Sequence, residues 1–179
     1  MTRYGAFLRG VNLGKRSVKS ADLVAAFTAM GLRGAKPLIA SGNVMFDTDE
    51  SDEAALRARI EAGLEQKFGF DIGTVLRSSE ELKAMVLADP FGGAAESEAQ
   101  KLYVTLFADP EAKKLTLPCA LPGDFDVVSV TAREIFHVAY RKPDGRYSAD
   151  TQNIIWKPFG KKVLWTNRNW NTILKAVAL

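Results

Sequence analysis

The sequence is poor in the residues that build disulfide frameworks and zinc sites. Its 179 residues include one cysteine, Cys119, and one histidine, His137. An internal disulfide and a Cys/His zinc site are therefore excluded. No apolar run approaches the roughly 18–20 residues of a membrane span, and the first residues lack the apolar segment of a signal peptide. We therefore expect a cytoplasmic protein with no membrane partner.

A large excess of charge of one sign is also missing. The formal net charge is +3, with 47% hydrophobic and 25% charged residues, which is the balance of a globular protein and excludes a disordered one. The length suits one ordinary domain or two small ones. Charge is nevertheless uneven, since bases dominate 1–36 and 141–179 whereas acids dominate 47–65. Basic ends around an acidic middle suggest an anionic partner, although such runs are often only solvated faces.

The first half of the chain is predicted to alternate strands and helices. The predicted strands are Tyr4–Arg9, Pro37–Ser41, Val44–Phe46 and Ile72–Arg77. Ser20 and Ser51 are candidate N-caps for two helices, and Ser78 with Glu81 has capping-box spacing for a third. The order β-α-β-β-α-β predicts a ferredoxin-like half whose antiparallel sheet has strand order 4-1-3-2 and is covered by helices.

The second half repeats this order of elements without a visible residue repeat. The small and polar stretch Phe91–Gln100 separates the halves as a predicted linker, and a last strand at Val163–Trp165 precedes a last helix from Trp170. The predicted fold class is therefore α+β with two tandem ferredoxin-like halves, spanning 1–90 and 101–179 around the linker 91–100. A single mixed α+β domain with two sheets is the alternative.

A glycine-bearing loop from Gly10 to Ser17 follows the first strand. It does not match a phosphate-binding P-loop, because three residues instead of four separate its glycines and Arg16 follows Lys15 where Ser or Thr is needed. Backbone N–H groups with Lys15 and Arg16 remain suited to holding an anion. The alternative is a turn that carries solvated basic side chains.

The predicted topology brings a second polar motif to this loop. Strands 1 and 2 run parallel in this order, so Arg9 and Asn12 are expected near Ser41 and Asn43. Arg offers a planar fork for carboxylate or phosphate, and these residues are the candidate binding site. The competing interpretation is that the asparagines satisfy only turn backbone groups.

A third polar cluster, Thr166–Thr172, lies where a strand is predicted to pass into the last helix. Asn167 or Asn169 suits an N-cap and Arg168 suits a carboxylate or phosphate, whereas Trp170 is expected in the core. His137 would have to serve any histidine-dependent hydrolase, yet a half-buried strand histidine and an inert thiol at Cys119 are the simpler expectation.

Three of these motifs together resemble a known family. Phe7–Gly14, Ser41–Phe46 and Thr166–Thr172 occur in the order of the signatures of the bacterial "domain of unknown function 1697" family. The resemblance spans essentially the whole chain. It implies a compact α+β protein and implies no activity, because the family has none assigned.

The residues favour a binding module over an enzyme. Arg9, Asn12, Lys15, Arg16, Ser41, Asn43 and Arg168 are the candidate ligand-binding residues. The expected partner is an anion, either a nucleotide or phosphorylated small molecule or, with weaker support, nucleic acid. An enzyme acting on a phosphorylated or carboxylated substrate lacks a convincing base or nucleophile, and a protein-interaction scaffold also stays open. We expect no cofactor and no metal, including at the acid-rich stretch Asp47–Glu53, where the acids suit a helix start.

Overall fold

The protein is an α+β structure with two antiparallel sheets, as the sequence predicts. The computed structural model describes residues 1–39, 42–147 and 149–179. The chain forms two compact units. Unit 1 comprises Met1–Ala84 and Leu174–Leu179, and unit 2 comprises Met85–Ile173. The domain limits 1–90, 91–100 and 101–179 stay a prediction.

Unit 1 alternates strands and helices from its first residues onward. In chain order its elements are β1 (Thr2–Arg9), α1 (Ser20–Ala29), β2 (Arg33–Pro37), β3 (Asn43–Thr48), α2 (Glu53–Phe68), β4 (Gly73–Ser78) and the first part of α3 (Ser79–Leu87). Every strand pair in its sheet is antiparallel, in the order β4-β1-β3-β2. This is the strand order 4-1-3-2 that the sequence predicts.

The core of unit 1 lies between this sheet and α1 and α2. Leu56, Ile60 and Leu64 recur at helical spacing on α2 and are fully buried. Each buried aliphatic side chain stabilises the fold by about 1.5–3 kcal/mol. Gly63 permits close packing of α2 against α1, because a Cβ there would lie 2.2 Å from the Met30 sulfur.

Three local predictions in unit 1 are wrong in detail. The second strand spans Arg33–Pro37, whereas Pro37–Ser41 was predicted; Ala40 and Ser41 lie outside the described residues. The start was misplaced because β2 is an exposed edge strand that carries no apolar run to reveal it. The N-cap of α2 is Asp52, whose carboxylate accepts a hydrogen bond from the Ala55 N–H, and not Ser51. Ser20 is the first residue of α1 and follows the N-cap Lys19.

Unit 2 continues from α3 into a five-stranded sheet. Its elements are β5 (Gln100–Phe107), a 3-10 turn (Ala112–Lys114), β6 (Ala120–Leu121), β7 (Phe125–Val130), β8 (Glu134–Tyr140), α4 (Ala149–Trp156), β9 (Trp165–Asn169) and the first part of α5 (Trp170–Ala178). The strand order is β6-β7-β8-β5-β9, and all pairs are antiparallel. The short edge strand β6 was not predicted.

Aromatic and aliphatic side chains fill unit 2. Phe107, Phe125, Ile135, Ile155 and Phe159 belong to one buried cluster. Trp170 is also buried, as predicted, and its ring packs edge-on against Phe91 and Phe136. The last strand spans Trp165–Asn169 instead of Val163–Trp165, because its polar residues lie on a sheet edge and resemble a turn.

Candidate functional site

The end of β1 and the start of β3 meet at one end of the first sheet. Phe7 is paired with Asn43. The Leu8 N–H donates a hydrogen bond of 2.8 Å to the Gly42 carbonyl. On the other side of β1, Arg9 is paired with Gly73 at the start of β4. Leu8 and Gly42, which are 34 positions apart, therefore bring two sequence motifs together, and Phe7, Leu8 and Arg9 form the strand end that joins them.

Asn12 closes the loop that follows β1. Its side-chain oxygen accepts a hydrogen bond of 3.0 Å from the Val18 N–H. Val11 and Val18 are both buried, so the two ends of the loop are anchored in the core. Gly10 begins this loop with φ at +79°, a conformation that glycine adopts without strain. The amide of Asn12 therefore has a structural role, which sequence reasoning kept as an alternative to ligand binding.

Asn43 has a similar role on the facing hairpin. Its side-chain N–H donates to the Leu38 carbonyl at 3.3 Å, and the Leu38 N–H donates to the Asn43 carbonyl at 3.0 Å. The side chain is buried, with 6% of its surface exposed. Ser41, the other candidate in this motif, lies outside the described residues. The buried Asn43 thus stabilises the hairpin through its two hydrogen bonds with Leu38.

Three cations lie at this end of the sheet together with one aromatic ring. Arg9, Lys15 and Arg16 are exposed, and the Arg16 guanidinium carbon lies 4.5 Å above the centre of the Phe70 ring. A Cβ built on Gly10 would lie 3.8 Å from an Arg16 nitrogen, so the guanidinium also lies next to the glycine that follows β1. We call Arg9, Lys15, Arg16 and Phe70 the basic rim.

Phe70 is the member of the rim that sequence reasoning missed. It follows Gly69, which ends α2 in a left-handed conformation with φ at +80°. Its ring packs near that of Phe68, with 6.5 Å between ring centres. An aromatic residue directly after a helix-ending glycine is commonly part of the core, so nothing in the sequence signalled a contact with Arg16.

Carboxylates near the start of β4 limit the positive charge of the rim. Asp71 is exposed and directly follows Phe70. Glu61 of α2 accepts a hydrogen bond of 2.8 Å from the Thr74 N–H. Burial raises the pKa of Glu61, although the Thr74 hydrogen bond and Arg57 act in the opposite sense. Glu61 is therefore engaged with the sheet, whereas Asp71 is the acid whose removal would make the rim more positive.

The last predicted ligand residue, Arg168, belongs to unit 2 and lies within β9. Its guanidinium donates to the Thr166 hydroxyl and, at 2.9 Å, to the Asn167 carbonyl. Burial lowers its pKa to about 10. The sequence placed this residue at a helix start, but it lies in a strand and binds its own neighbours.

The asparagines of the same motif hold a loop in place. Asn169 and Asn171 both donate side-chain hydrogen bonds to the carboxylate of Glu96, the second at 2.8 Å. A Glu96 oxygen also accepts from the Leu102 N–H at 3.1 Å. Asn169 also accepts from the Asn171 N–H at 2.9 Å, which is the helix-start role predicted for it. Much of this polar motif is therefore structural.

His137 and Cys119 lack the properties of a catalytic pair. His137 is fully buried instead of half-buried, and burial lowers its pKa to about 4. Gln152 lies close enough to oppose that shift, yet neither ring nitrogen has a hydrogen-bond partner of good geometry among the described residues. Burial also raises the pKa of the Cys119 thiol, which lowers its reactivity.

The described part of the chain shows neither a metal-ligand cluster nor a membrane span. No three His, Cys, Asp or Glu side chains within residues 1–39, 42–147 and 149–179 are grouped to hold a metal ion. In the predicted metal-free stretch, Asp47 pairs with Arg3 and Asp52 caps α2. Over the same residues, no helix is both long and apolar enough to cross a bilayer.

Comparisons with known proteins identify the fold and the family of the chain. A solved structure of the conserved bacterial protein SP0830 from Streptococcus pneumoniae is similar to the chain, with a TM-score of 0.77 and 24% identity over 99% of this chain and 97% of that one. At this identity the likeness shows the fold. No curated protein matches the sequence significantly. The family described as "Protein of unknown function (DUF1697)" matches residues 1–136, so the chain belongs to this family.

Proposed function

We propose that the protein is a non-catalytic module that binds a phosphate-bearing anion at the basic rim of unit 1. A nucleotide, a phosphorylated small molecule and a nucleic acid strand all carry the phosphate group that such a site would bind. The observation that carries the proposal is the Arg16 guanidinium held 4.5 Å above Phe70, beside Gly10 and with Arg9 and Lys15 exposed in the same region.

Stacking on Phe70 prepares Arg16 for such a ligand. A flexible arginine loses rotamer freedom when it binds, which weakens affinity. A guanidinium already placed over an aromatic face loses less, and a contact through its face leaves N–H groups at its edge for a bidentate pair with phosphate. The basic rim therefore combines the preordered guanidinium of Arg16 with the positive charges of Arg9 and Lys15.

The backbone at the rim suits the approach of an anion. Gly10 and Gly42 both have positive φ, at +79° and +100°, and neither presents a side chain to a ligand. The exposed Ile39 also has a left-handed φ of +59°. A β-branched residue in this region is strained, and such strain is concentrated at functional sites.

An enzyme on the same surface would need a general base or nucleophile at the rim. The described members of the rim are three cations and an aromatic ring, and the Asn12 and Asn43 amides are engaged in loop closure. We therefore favour binding over catalysis. We further infer a cytoplasmic setting and a tandem of ferredoxin-like halves, supported by the order β4-β1-β3-β2 and by β7-β8-β5-β9 within the second sheet.

Equilibrium titrations test the proposal. Inorganic phosphate, pyrophosphate, AMP and a short oligonucleotide are titrated at about 50 and about 200 mM salt, where a strand that contacts several cations loses much more affinity than a small anion. We expect wild-type protein to bind at least one probe, and Arg16→Ala and Arg9→Ala to weaken that binding by about fivefold or more, as is typical for a charge-assisted hydrogen bond.

The matched control is Arg59→Ala. Arg59 is an exposed arginine of the same unit that lies with Thr48 and Asp49, and Thr48 is paired with Thr2 at the opposite end of β1. The Arg59→Ala substitution therefore removes one positive charge, as Arg16→Ala does, but from a different surface of unit 1. The proposal is wrong if wild-type protein binds no probe, or if Arg59→Ala weakens binding as much as folded Arg16→Ala does.

A further inference from the structure

Two tryptophans stack at the ends of one loop in unit 2. The ring centres of Trp156 and Trp165 are 4.8 Å apart and the planes are tilted by 14°. Trp156 ends α4 and Trp165 begins β9. The loop between them is thus closed by an aromatic pair that is only half-buried at both positions.

The orientation of Trp156 is fixed from the interior of unit 2. Its indole N–H donates to the Thr105 hydroxyl at 2.9 Å, and that hydroxyl donates to the Asn167 side-chain oxygen at 3.3 Å. The buried His137 ring packs edge-on against it, with 6.2 Å between ring centres. Trp156 is therefore held in one orientation, and Trp165 stacks on it. We call this pair the aromatic wall. A preordered aromatic surface lowers the entropic penalty of stacking a ligand on it.

A shallow cavity opens on this wall. Its volume is about 390 Å³, and it is lined by Asn153, Ile154, Trp156, Lys157 and Trp165. The lining combines two aromatic rings, one amide with donor and acceptor atoms, and one ammonium group. A planar ring that carries hydrogen-bonding edges and an attached anion complements all three.

The charge of the surrounding segment favours an anion strongly. Residues 151–165 contain three bases and no aspartate or glutamate. Lys157, Lys161 and Lys162 are exposed on the loop between the tryptophans. The loop itself is anchored by Phe159, whose buried ring lies 4.7 Å from that of Phe107. Lys157 thus lines the cavity, and Lys161 and Lys162 lie on the same anchored loop.

We propose that this cavity binds a nucleotide, with the base stacked on the Trp156–Trp165 wall and the phosphate held by Lys157 and the loop lysines. Asn153 contacts the edge of the base. This site is separate in its residues from the basic rim, so its existence does not depend on the proposed function of unit 1. The nucleotide is either free or one unit of a single strand, because both carry the same base and phosphate.

Indole N–H resonances in NMR spectra provide the test, since the sequence has only three tryptophans. AMP, oligodeoxythymidylate and inorganic phosphate are titrated into full-length protein. We expect AMP or the oligonucleotide to shift the Trp156 and Trp165 resonances, and phosphate alone to leave them in place. Much tighter binding of the oligonucleotide identifies a strand as the ligand, whereas equal affinities identify the mononucleotide.

Variants of the lining residues distinguish loss of stacking and loss of a local charge from a nonspecific loss of positive charge. Trp165→Leu should abolish binding and Trp165→Phe should retain part of it, while Lys157→Ala and Asn153→Ala should each weaken it by about fivefold. Lys175→Ala, an exposed lysine outside the lining, should leave affinity unchanged. Because Asn153 and Lys157 are exposed, their variants keep the test valid if Trp165→Leu unfolds.

Two outcomes overturn the proposal. The first is the absence of any Trp156 or Trp165 shift with AMP and the oligonucleotide up to about 10 mM, since an affinity weaker than that leaves less than about 3 kcal/mol for all contacts. The second is binding that folded Lys157→Ala and Trp165→Leu leave intact. Arg16→Ala should leave the ligand-induced shifts of Trp156 and Trp165 unchanged. A negative result at the tryptophans is therefore independent of whether the basic rim binds an anion.

Discussion

The guanidinium of Arg16 stacks on Phe70, which joins the loop after β1 to the segment that links α2 and β4. The two residues are 54 positions apart, and neither belongs to a helix or strand. The contact holds a cation at the end of the sheet where Leu8 binds Gly42. The anion site proposed for unit 1 depends on this pairing.

Removing the ring should weaken anion binding without removing any charge. We expect Phe70→Leu to lower affinity by about two- to fivefold, because an exposed cation–π contact contributes about 0.5–1 kcal/mol to holding Arg16. Phe70→Tyr keeps the aromatic face and should bind as wild type does. Isothermal titration with pyrophosphate measures both, and equal affinities for the Leu and Tyr variants would show that the stack is irrelevant to binding.

The rim should become a stronger anion site when its neighbouring acid is neutralised. Asp71 directly follows Phe70 and is exposed, so Asp71→Asn should raise pyrophosphate affinity at low salt, and the gain should shrink as salt screens the charge. The same titration measures this effect. An unchanged or lower affinity would argue that the ligand does not approach Phe70.

The buried His137 makes unit 2 sensitive to acid. Its pKa of about 4 in the folded protein lies below the ordinary 6.5 expected after unfolding. Between these values the unfolded chain binds the proton that the folded chain excludes, so stability falls as pH decreases from about 6.5 to about 4 and is fully retained above that window. The full shift corresponds to roughly 3 kcal/mol.

Urea unfolding at several pH values measures this dependence. His137 is the only histidine, so a substitution removes the whole histidine contribution. His137→Leu should show a shallower loss of stability between about pH 6.5 and 4 than wild type shows. Parallel pH profiles for the two proteins would mean that the folded chain protonates His137 as easily as the unfolded chain does.

Glu96 is expected to be one of the main polar contributors to the stability of unit 2. Its side chain is 14% exposed and accepts hydrogen bonds from Asn169, Asn171 and the Leu102 N–H. We expect Glu96→Ala to lower the free energy of unfolding by about 2 kcal/mol, because three donors, two of them in part-buried hydrogen bonds, lose a charged partner. Glu98→Ala removes a nearby exposed acid and should have a much smaller effect in the same urea titrations.

The capping box at α3 should be measurable in the same way. The Ser78 N–H donates to the Glu81 carboxylate at 2.7 Å, and the Glu81 N–H donates to the Ser78 hydroxyl at 3.1 Å. Ser78→Ala should therefore destabilise the protein by about 1 kcal/mol. Ser79→Ala, one position later, provides the control, and equal effects of the two changes would contradict a specific cap.

Sequence patterns predicted the parts of the fold that depend on local chemistry or apolar periodicity. The capping box at Ser78 and Glu81 follows from spacing that one element carries by itself. The burial of Trp170 follows from its large apolar ring at a helix start. The predicted bounds of the edge strands β2 and β9 were wrong. An edge strand has a neighbouring strand on one side only, so it tolerates polar residues that make it look like a turn in the sequence.

The site was predicted only in part for a related reason. Strand order was enough to bring Arg9 close to Gly42. It was not enough to show that Asn12 and Asn43 are engaged with the backbone, or that Phe70 lies beneath Arg16. These contacts depend on how individual side chains are placed in the folded protein, and the spacing of residues along the sequence does not reveal that placement. The tryptophan wall was missed likewise, since Trp156 and Trp165 meet only when their loop folds back.

Mapping of backbone amide shifts during a pyrophosphate titration tests the central claim most directly. We expect the largest shifts at Gly10, Arg16 and Gly42, the backbone positions around the basic rim. These shifts should disappear in Arg16→Ala and persist in Arg59→Ala. Saturable binding whose shifts lie elsewhere in the chain, or which Arg16→Ala leaves unchanged, would contradict the assignment of the rim as an anion-binding site.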